Sequence, residues 1–250
     1  MSCKITVRRS EDRGHANHRG INTHHTFSFA NYYDANFQNF GALTVINEDI
    51  VASNSGFGTH PHREFEIFSY IISGELQHKD SMDNEEILKR GDVQFTTAGT
   101  GIFHSEYNIH TSLPVHFLQI WVKPDDPRLT PNYHTKTFPE AVKLNNLVHI
   151  ISPAESETDD PDSTIKIHTD FHMFASILEP GRKVVHKVRG TNKPRKVYVH
   201  LASTGGELKI NDELLKQGDG AFVTNVKCDD EISFESTGTK NAEFVLFDLA

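Results

Sequence analysis

Residues 74–95 read GELQHKDSMDNEEILKRGDVQF, and residues 206–222 read GELKINDELLKQGDGAF. In both stretches a strand-like segment ends, a polar turn follows, and a Gly-Asp pair opens the next strand-like segment. A Gly-Asp pair suits a tight corner, because glycine adopts backbone angles that other residues avoid. Similarity between two parts of one chain indicates an internal repeat. The pattern therefore predicts two copies of one β-unit, related by duplication.

Short apolar runs rich in Val, Ile and Phe surround this repeat and are broken by Gly, Asp, Asn or Pro, as is typical of strands. The predicted strands lie in ALTVINEDIVA (42–52), FEIFSYIISGELQHKD (65–80), DVQFTTAG (92–99), PVHFLQIWVKP (114–124), KVYVHLAS (196–203), GELKIND (206–212) and AEFVLFDLA (242–250). Only residues 139–144 suggest a short helical turn. We therefore expect an all-β chain made of two antiparallel, jelly-roll-like β-barrels.

An acidic stretch between the two copies, SPAESETDDPDST at 152–164, has the composition of a solvated linker. It predicts an N-terminal domain at 1–150 and a C-terminal domain at 151–250. In the C-terminal copy, the segment GRKVVHKV (181–188) ahead of the repeat has one histidine, His186, and AFVTNVKCDDEISF after it has none. We therefore expect one metal site per chain, in the N-terminal domain.

Composition excludes several classes of protein. The formal charge of −9 argues against direct binding of nucleic acid, which requires a basic surface. No apolar run approaches the length of a membrane span, and the polar start shows no secretory signal. Two cysteines, Cys3 and Cys228, fit neither a disulfide framework nor a zinc cluster. A soluble, intracellular protein is expected, with its thiols free.

Two short histidine motifs predict a metal site. His60-Pro61-His62 and His104-Ser105-Glu106 each place two possible ligands at alternate positions, and alternate residues of a strand point to the same side. Two adjacent strands would bring three imidazoles and one carboxylate together, a donor set suited to a divalent transition metal.

Spacing alone leaves the carboxylate open between Glu106 and Glu66, since Glu66 follows His62 with the same strand parity. Asn108, at the next alternate position after Glu106, is expected to face the same interior and to support the ligands by a hydrogen bond. His24 and His25 lie in an aromatic stretch and are expected to pack or to bond a strand edge. The remaining histidines lack paired spacing and are interpreted as surface or core residues.

The segments HPHREFEIFSYIISGELQHKDS (60–81) and GDVQFTTAGTGIFHSE (91–106) resemble the signature of the pirins, a branch of the cupin superfamily. The resemblance is dense in the N-terminal half and loose in the C-terminal half. It implies a bicupin fold with one mononuclear iron in the N-terminal barrel, held by His60, His62, His104 and Glu106. It thus favours Glu106 over Glu66. Cu, Ni, Mn, Co or Zn could occupy the same donors.

The resemblance implies two different functions. One is quercetin 2,3-dioxygenase activity, in which Glu106, or Glu66 behind it, would accept the proton of a flavonol 3-hydroxyl. Phe57 and Phe103 would then line a flat pocket for this small aromatic substrate. The other is a metal- and redox-dependent cofactor of transcription, which would bind a regulatory protein partner. The expected location is the cytoplasm for the enzyme and also the nucleus for the regulator.

Overall fold

Short strands form most of the regular structure in this computed structural model, which describes residues 3–155, 163–190 and 194–250. In chain order the strands are β1 (Lys4–Arg8), β2 (Gly14–His18), β3 (Ile21–His25), β4 (Leu43–Val51), β5 (Ser55–His62), β6 (Glu66–Ser73), β7 (Glu75–Asp80), β8 (Glu85–Lys89), β9 (Asp92–Thr97), β10 (Ile102–Asn108), β11 (Val115–Val122), β12 (Asn132–Thr137), β13 (Val148–Pro153), β14 (Ile165–Ile167), β15 (Phe171–Leu178), β16 (Lys183–Lys187), β17 (Arg195–Leu201), β18 (Glu207–Ile210), β19 (Glu213–Lys216), β20 (Gly220–Val226), β21 (Glu231–Ser236) and β22 (Ala242–Leu249).

Helical structure in the described part of the chain is limited to two short pieces. They are a 3₁₀ turn at Ser10–Asp12 and the α-helix α1 (Glu140–Lys143), which lies within the predicted helical turn. Neither piece is long and apolar enough to cross a bilayer. The prediction of an all-β chain is confirmed, and each predicted strand region contains at least one strand.

The N-terminal unit comprises Gly14–Asn39 and Leu43–Pro139. Its seven-stranded sheet has the order β12-β9-β6-β11-β4-β3-β2, and its four-stranded sheet has the order β5-β10-β7-β8. One apolar cluster draws on both sheets, which therefore pack face to face: Val51, Ile71, Leu76, Leu88, Val115 and Phe117. The two sheets do not close into a barrel, and the unit is a jelly-roll-like sandwich, in agreement with the predicted fold class.

The C-terminal unit comprises Met1–Arg13, Phe40–Ala42 and Glu140–Ala250. Its larger sheet has the order β1-β20-β17-β22-β15-β13-β14, and its smaller sheet has the order β16-β21-β18-β19. Buried apolar residues of both sheets form its core, including Leu208 and Phe234 from the smaller sheet and Val199 and Phe244 from the larger. This unit is also an open sandwich.

The two units share one strand pattern. The order β9-β6-β11-β4 of the first large sheet corresponds to β20-β17-β22-β15 of the second, and β5-β10-β7-β8 corresponds to β16-β21-β18-β19. The repeated hairpins also share a register, since Leu76 lies opposite Leu88 and Leu208 lies opposite Leu215. These equivalent pairings support the predicted duplication.

The boundary between the units differs from the predicted one. It falls between Pro139 and Glu140, and the first thirteen residues join the C-terminal unit because β1 pairs with β20. The acidic stretch at 152–164 does not join the two units, since it connects β13 to β14, which pair in one sheet. Residues 156–162 of that stretch lie outside the described part. Composition identified a polar segment but could not reveal which strands pair around it.

Candidate metal centre

The two histidine motifs lie side by side, as the sequence predicts. β5 and β10 pair antiparallel, with His104 opposite His60 and Ile102 opposite His62. One ligand atom from each of His60, His62 and His104 lies within 4.8 Å of those of the other two. Among the described residues these three form the one such group of possible metal ligands.

The local sequence of β5 explains how the first pair reaches this position. β5 is an edge strand of the smaller sheet. Proline has no backbone N–H, and at an edge strand Pro61 can occupy a position where no hydrogen bond between strands is lost. The register with β10 shifts between His104 and Glu106, and such bulges re-aim side chains near functional sites. Gly56 permits the close pairing, because an added Cβ would lie 2.3 Å from the carbonyl oxygen of Glu106.

Hydrogen bonding gives His60 the tautomer that a metal needs. Its Nδ1 lies 2.7 Å from the carbonyl oxygen of Gly58, so Nδ1 carries the proton and Nε2 keeps a free lone pair. That Nε2 lies 3.1 Å from Nε2 of His104. Two nitrogens bound at about 2.1 Å to one ion, at right angles, would be about 3.0 Å apart. The separation of the two nitrogens therefore fits a shared ion.

The electrostatics of the pocket favour neutral imidazoles. Burial, followed by the neighbouring rings of His104 and His60, lowers the pKa of His62 to about 3, although Glu106 opposes the shift. Burial, followed by His60 and His78, lowers the pKa of His104 to about 3 as well. A neutral imidazole can bind a metal ion, whereas an imidazolium cannot.

Glu106 is buried beside the histidines and is held by two donors. Ser69 Oγ donates to Oε1 at 2.9 Å, and Gln119 Nε2 donates to Oε2 at 2.6 Å. The carboxylate does not belong to the group of ligand atoms within 4.8 Å. Each of its oxygens retains a second lone pair beyond the bond it accepts. Its role as fourth ligand and as proton acceptor stays a prediction.

Two other predicted contributors differ from their predicted roles. Glu66 belongs to β6, in the larger sheet, and its Oε1 accepts a hydrogen bond from Thr97 Oγ1 at 3.1 Å. The parity argument for Glu66 is therefore wrong, because the strand that carries His62 ends at that residue. The Nδ2 of Asn108 donates to the carbonyl oxygens of Val51 and Leu113, so Asn108 fixes a loop and does not support the ligands.

Sequence reasoning missed four residues around the centre. Ser69 and Gln119 anchor Glu106, and the ring of Trp121 lies 4.7 Å from that of His62 in a T-shaped contact. The sequence contains one signal for Gln119 and Trp121. Gln119 is a polar residue within the apolar run PVHFLQIWVKP, and residues 117, 119 and 121 share one face of β11. His78, interpreted only as a scattered histidine, is fully buried with its ring 5.2 Å from that of His104.

A cleft of about 450 Å³ borders the histidines and is lined by Pro61, His62, Arg63, Thr100, Gly101, Ile102 and Phe103. Phe103 is 54% exposed and faces this opening. Phe57 instead packs against the apolar core of the unit. Of the two predicted pocket residues, Phe103 alone lines the described cleft.

His25 bonds Asn47, and His24 stacks on His15, so the predicted structural roles of these two histidines are confirmed.

The equivalent positions of the C-terminal unit have lost this donor set. Ile232 lies opposite His186 and Phe234 opposite Val184, which matches Ile102 opposite His62 and His104 opposite His60. Val184 and Phe234 therefore replace two of the ligand positions, and neither side chain has a donor atom. The remaining histidine, His186, is paired with Asp248 at 2.8 Å.

Comparison with known proteins agrees with this architecture. The pirin family model matches residues 6–122, and a model described as the quercetinase C-terminal cupin domain matches residues 150–249. A protein of Escherichia coli strain K12 named quercetin 2,3-dioxygenase is 38% identical over 98% of both chains. A pirin-like protein of Caulobacter vibrioides is 35% identical over 95% of this chain and 96% of its own.

A solved structure supports both the fold and the metal site. The bacterial pirin YhhW of Escherichia coli, crystallised in complex with nickel(II), matches with a TM-score of 0.85 and 36% identity. The match covers 98% of this chain and 99% of that one. The duplicated sandwich, the histidine group in its first unit and these relatives lead to one assignment. This chain belongs to the pirin family and carries its two cupin domains.

Proposed function

We propose that this chain is a metal-dependent dioxygenase that cleaves a flavonol such as quercetin, with iron as its native ion. The observation that carries the proposal is the convergence of the three histidine ligand atoms within 4.8 Å. The relative named quercetin 2,3-dioxygenase, 38% identical along nearly the whole chain, supports the choice of reaction. The cleft beside His62 provides access from solvent.

The three histidines would hold one divalent ion, and Glu106 would supply the fourth donor through a lone pair that Ser69 and Gln119 do not use. Four protein ligands leave room for oxygen ligands from outside. Nickel(II) occupies the related bacterial pirin, and nitrogen-rich sites accept several divalent ions, so we propose iron on chemical grounds. Iron, unlike zinc, can exchange electrons with dioxygen.

When bound, the ion supplies a Lewis acid at which a flavonol and dioxygen can meet. Glu106 would accept the proton of the flavonol 3-hydroxyl on a carboxylate oxygen, which makes the ring electron-rich. Ser69 and Gln119 would keep that carboxylate oriented through their hydrogen bonds. Both atoms of dioxygen then enter the product ester, and the carbon that carried the 3-hydroxyl leaves as carbon monoxide.

A reconstitution experiment tests the proposal. Metal-free protein is loaded under argon with Fe(II), Ni(II), Co(II), Mn(II), Cu(II) or Zn(II), and quercetin loss and carbon monoxide release are followed after oxygen is added. We expect turnover with iron, none with His62→Ala, and a fall of about 10²–10⁴-fold with Glu106→Gln. Elemental analysis of each sample confirms its loading.

The same experiment can contradict the proposal. Iron-loaded protein that consumes quercetin no faster than His62→Ala is not a quercetinase. A loaded but inactive protein that captures a protein partner only in one redox state of iron would favour the regulatory function that the family resemblance also implies.

A further inference from the structure

Trp121 lies directly beside the histidine centre. It lies on the same face of β11 as Gln119, which donates to Glu106, because alternate residues of a strand share a face. Its ring meets that of His62 at 4.7 Å, nearly perpendicular, and contacts the rings of Phe29 and Phe65 at 5.5 Å each. The indole therefore forms an aromatic wall beside one of the proposed ligands.

The indole N–H lacks a partner within the described residues. Nε1 of Trp121 is buried, and its N–H donates to no acceptor among the described residues. Buried N–H groups are rarely left unpaired, because a donor that loses its water without gaining an acceptor destabilises the fold. A buried tryptophan usually finds an acceptor for this donor. An acceptor supplied by a bound ligand would account for the arrangement.

The C-terminal unit provides an internal comparison. Asp248 occupies the position equivalent to Trp121. The equivalence follows when Gly91-Asp92 is aligned with Gly218-Asp219 and the strand pairings are traced from β9 through β6 to β11, and from β20 through β17 to β22. Asp248 is satisfied within the protein, since it bonds His186, Arg195 and the backbone N–H of Arg189. The unit that lost the ligand histidines thus has a saturated acceptor here, whereas the unit that keeps them has an unsatisfied donor.

We infer that the indole N–H of Trp121 donates a hydrogen bond to an oxygen atom of the ligand held at the histidine centre. The ligand class is an oxygen-donor anion, such as an ionised enol, bound beside His62. This inference rests on the proposed function for the identity of the natural substrate. The hydrogen bond would orient that substrate.

Trp121 is the only tryptophan of the chain, so one indole signal reports on the contact directly. Zinc-loaded, ¹⁵N-labelled protein is titrated with acetohydroxamate, an oxygen chelator, and the indole ¹H–¹⁵N resonance is followed. We expect its proton to move downfield and to exchange more slowly with solvent at saturation. We also expect Trp121→Phe, which keeps a ring but lacks the donor, to bind acetohydroxamate about tenfold more weakly.

The matched control is Phe65→Leu, which alters the same aromatic wall but keeps the indole, and its Kd should stay within about threefold of wild type. An indole proton that does not move, a Trp121→Phe variant with unchanged Kd, or no binding of acetohydroxamate overturns the inference. If Trp121→Phe fails to fold, the shift of the indole resonance in the wild-type protein still tests the inference.

Acetohydroxamate is no substrate, so the inference and the proposed function can fail separately. Protein that binds acetohydroxamate through Trp121 but does not consume quercetin refutes only the function. Quercetin turnover by Trp121→Phe with unchanged KM refutes only the inference.

Discussion

The imidazoles of His62 and His104 are already in the protonation state that binding of a metal ion requires. Burial lowers the pKa of each to about 3, so both rings are neutral near pH 7 and a metal ion need not displace a proton from them. Without a metal ion, the two neutral imidazoles lower the stability of the fold little, because neither is a buried charge. The burial that places these ligands therefore also sets their protonation.

Gln119 controls the carboxylate beside them. Gln119→Leu removes the donor to Oε2 of Glu106, leaving a buried carboxylate with one partner fewer. We expect metal affinity to fall about 10–100-fold and the free energy of unfolding to fall by about 1–3 kcal/mol. Competition with a coloured chelator measures the affinity, and urea denaturation measures the stability.

The control for Gln119→Leu is Gln77→Leu, which removes a partly exposed glutamine whose amide donates to Glu85 Oε1 at 3.1 Å. That variant should keep wild-type metal affinity. Equal affinities in both variants would show that the orientation of Glu106 does not matter for the ion.

His172 in the C-terminal unit gives a test of acid stability. Burial lowers its pKa to about 4, with charged neighbours of both signs around it: Asp248, Arg189, Arg195 and Asp170. The unfolded chain takes up this proton below about pH 6.5, whereas the folded chain does so only near pH 4, so stability is lost as pH falls through that window. His172→Gln should reduce the stability difference between pH 6.5 and pH 5 by about 1–2 kcal/mol.

Urea denaturation of metal-free wild type and variant at both pH values checks this prediction, since bound metal would add its own pH dependence. Parallel losses of stability in the two proteins would show that His172 titrates alike in the folded and unfolded states.

The edge strand β5 carries two of the proposed ligands and makes a close backbone contact with β10. Gly56→Ala places a Cβ 2.3 Å from the carbonyl oxygen of Glu106 and 2.6 Å from Cα of Tyr107, so the strands must separate. We expect a loss of about 1–3 kcal/mol in stability together with weaker metal binding. Thermal unfolding with and without metal measures both effects.

Gly58→Ala is the matched control, because it lies in the same strand and an added Cβ meets nothing within 4 Å. Its stability should stay within about 0.5 kcal/mol of wild type. A similar loss of stability in both variants would show that the flexibility of β5, and not the close contact of Gly56 with Glu106, determines the effect.

Local patterns predicted the parts of the structure that local chemistry determines. The hairpin at 74–95 and the alternation in HPH and HSE follow from turn residues and strand period, which are visible in sequence. The pairing of β1 with β20 was not visible, because it joins segments more than 200 residues apart in sequence. Glu66 was misjudged for a related reason: parity holds only within one strand, and β5 ends before it.

Duplication followed by divergence explains how one chain carries a single site on two similar sandwiches. The C-terminal unit keeps the strand order but fills two ligand positions with Val184 and Phe234, which join its apolar core. Its remaining histidine is committed to an ion pair with Asp248. We infer that the second unit gave up metal binding and gained buried apolar contacts.

The equivalent histidines should therefore behave differently. His62→Ala should abolish binding of one metal ion per chain, whereas His186→Ala should leave metal content unchanged. His186→Ala should instead lower the free energy of unfolding by about 1–3 kcal/mol, because Asp248 loses a buried partner. Elemental analysis and urea denaturation measure the two properties, and a loss of metal in His186→Ala would contradict the assignment of a single site.

The pairing of β1 with β20 also has a consequence for biosynthesis. Lys4–Arg8 are synthesised long before Gly220–Val226 and must wait for that segment to emerge before the two strands can pair. At roughly 5–20 residues per second, that delay is about 10–40 seconds. β1 is thus without its partner while more than 200 residues are added to the chain, and translation rate becomes part of how this protein assembles.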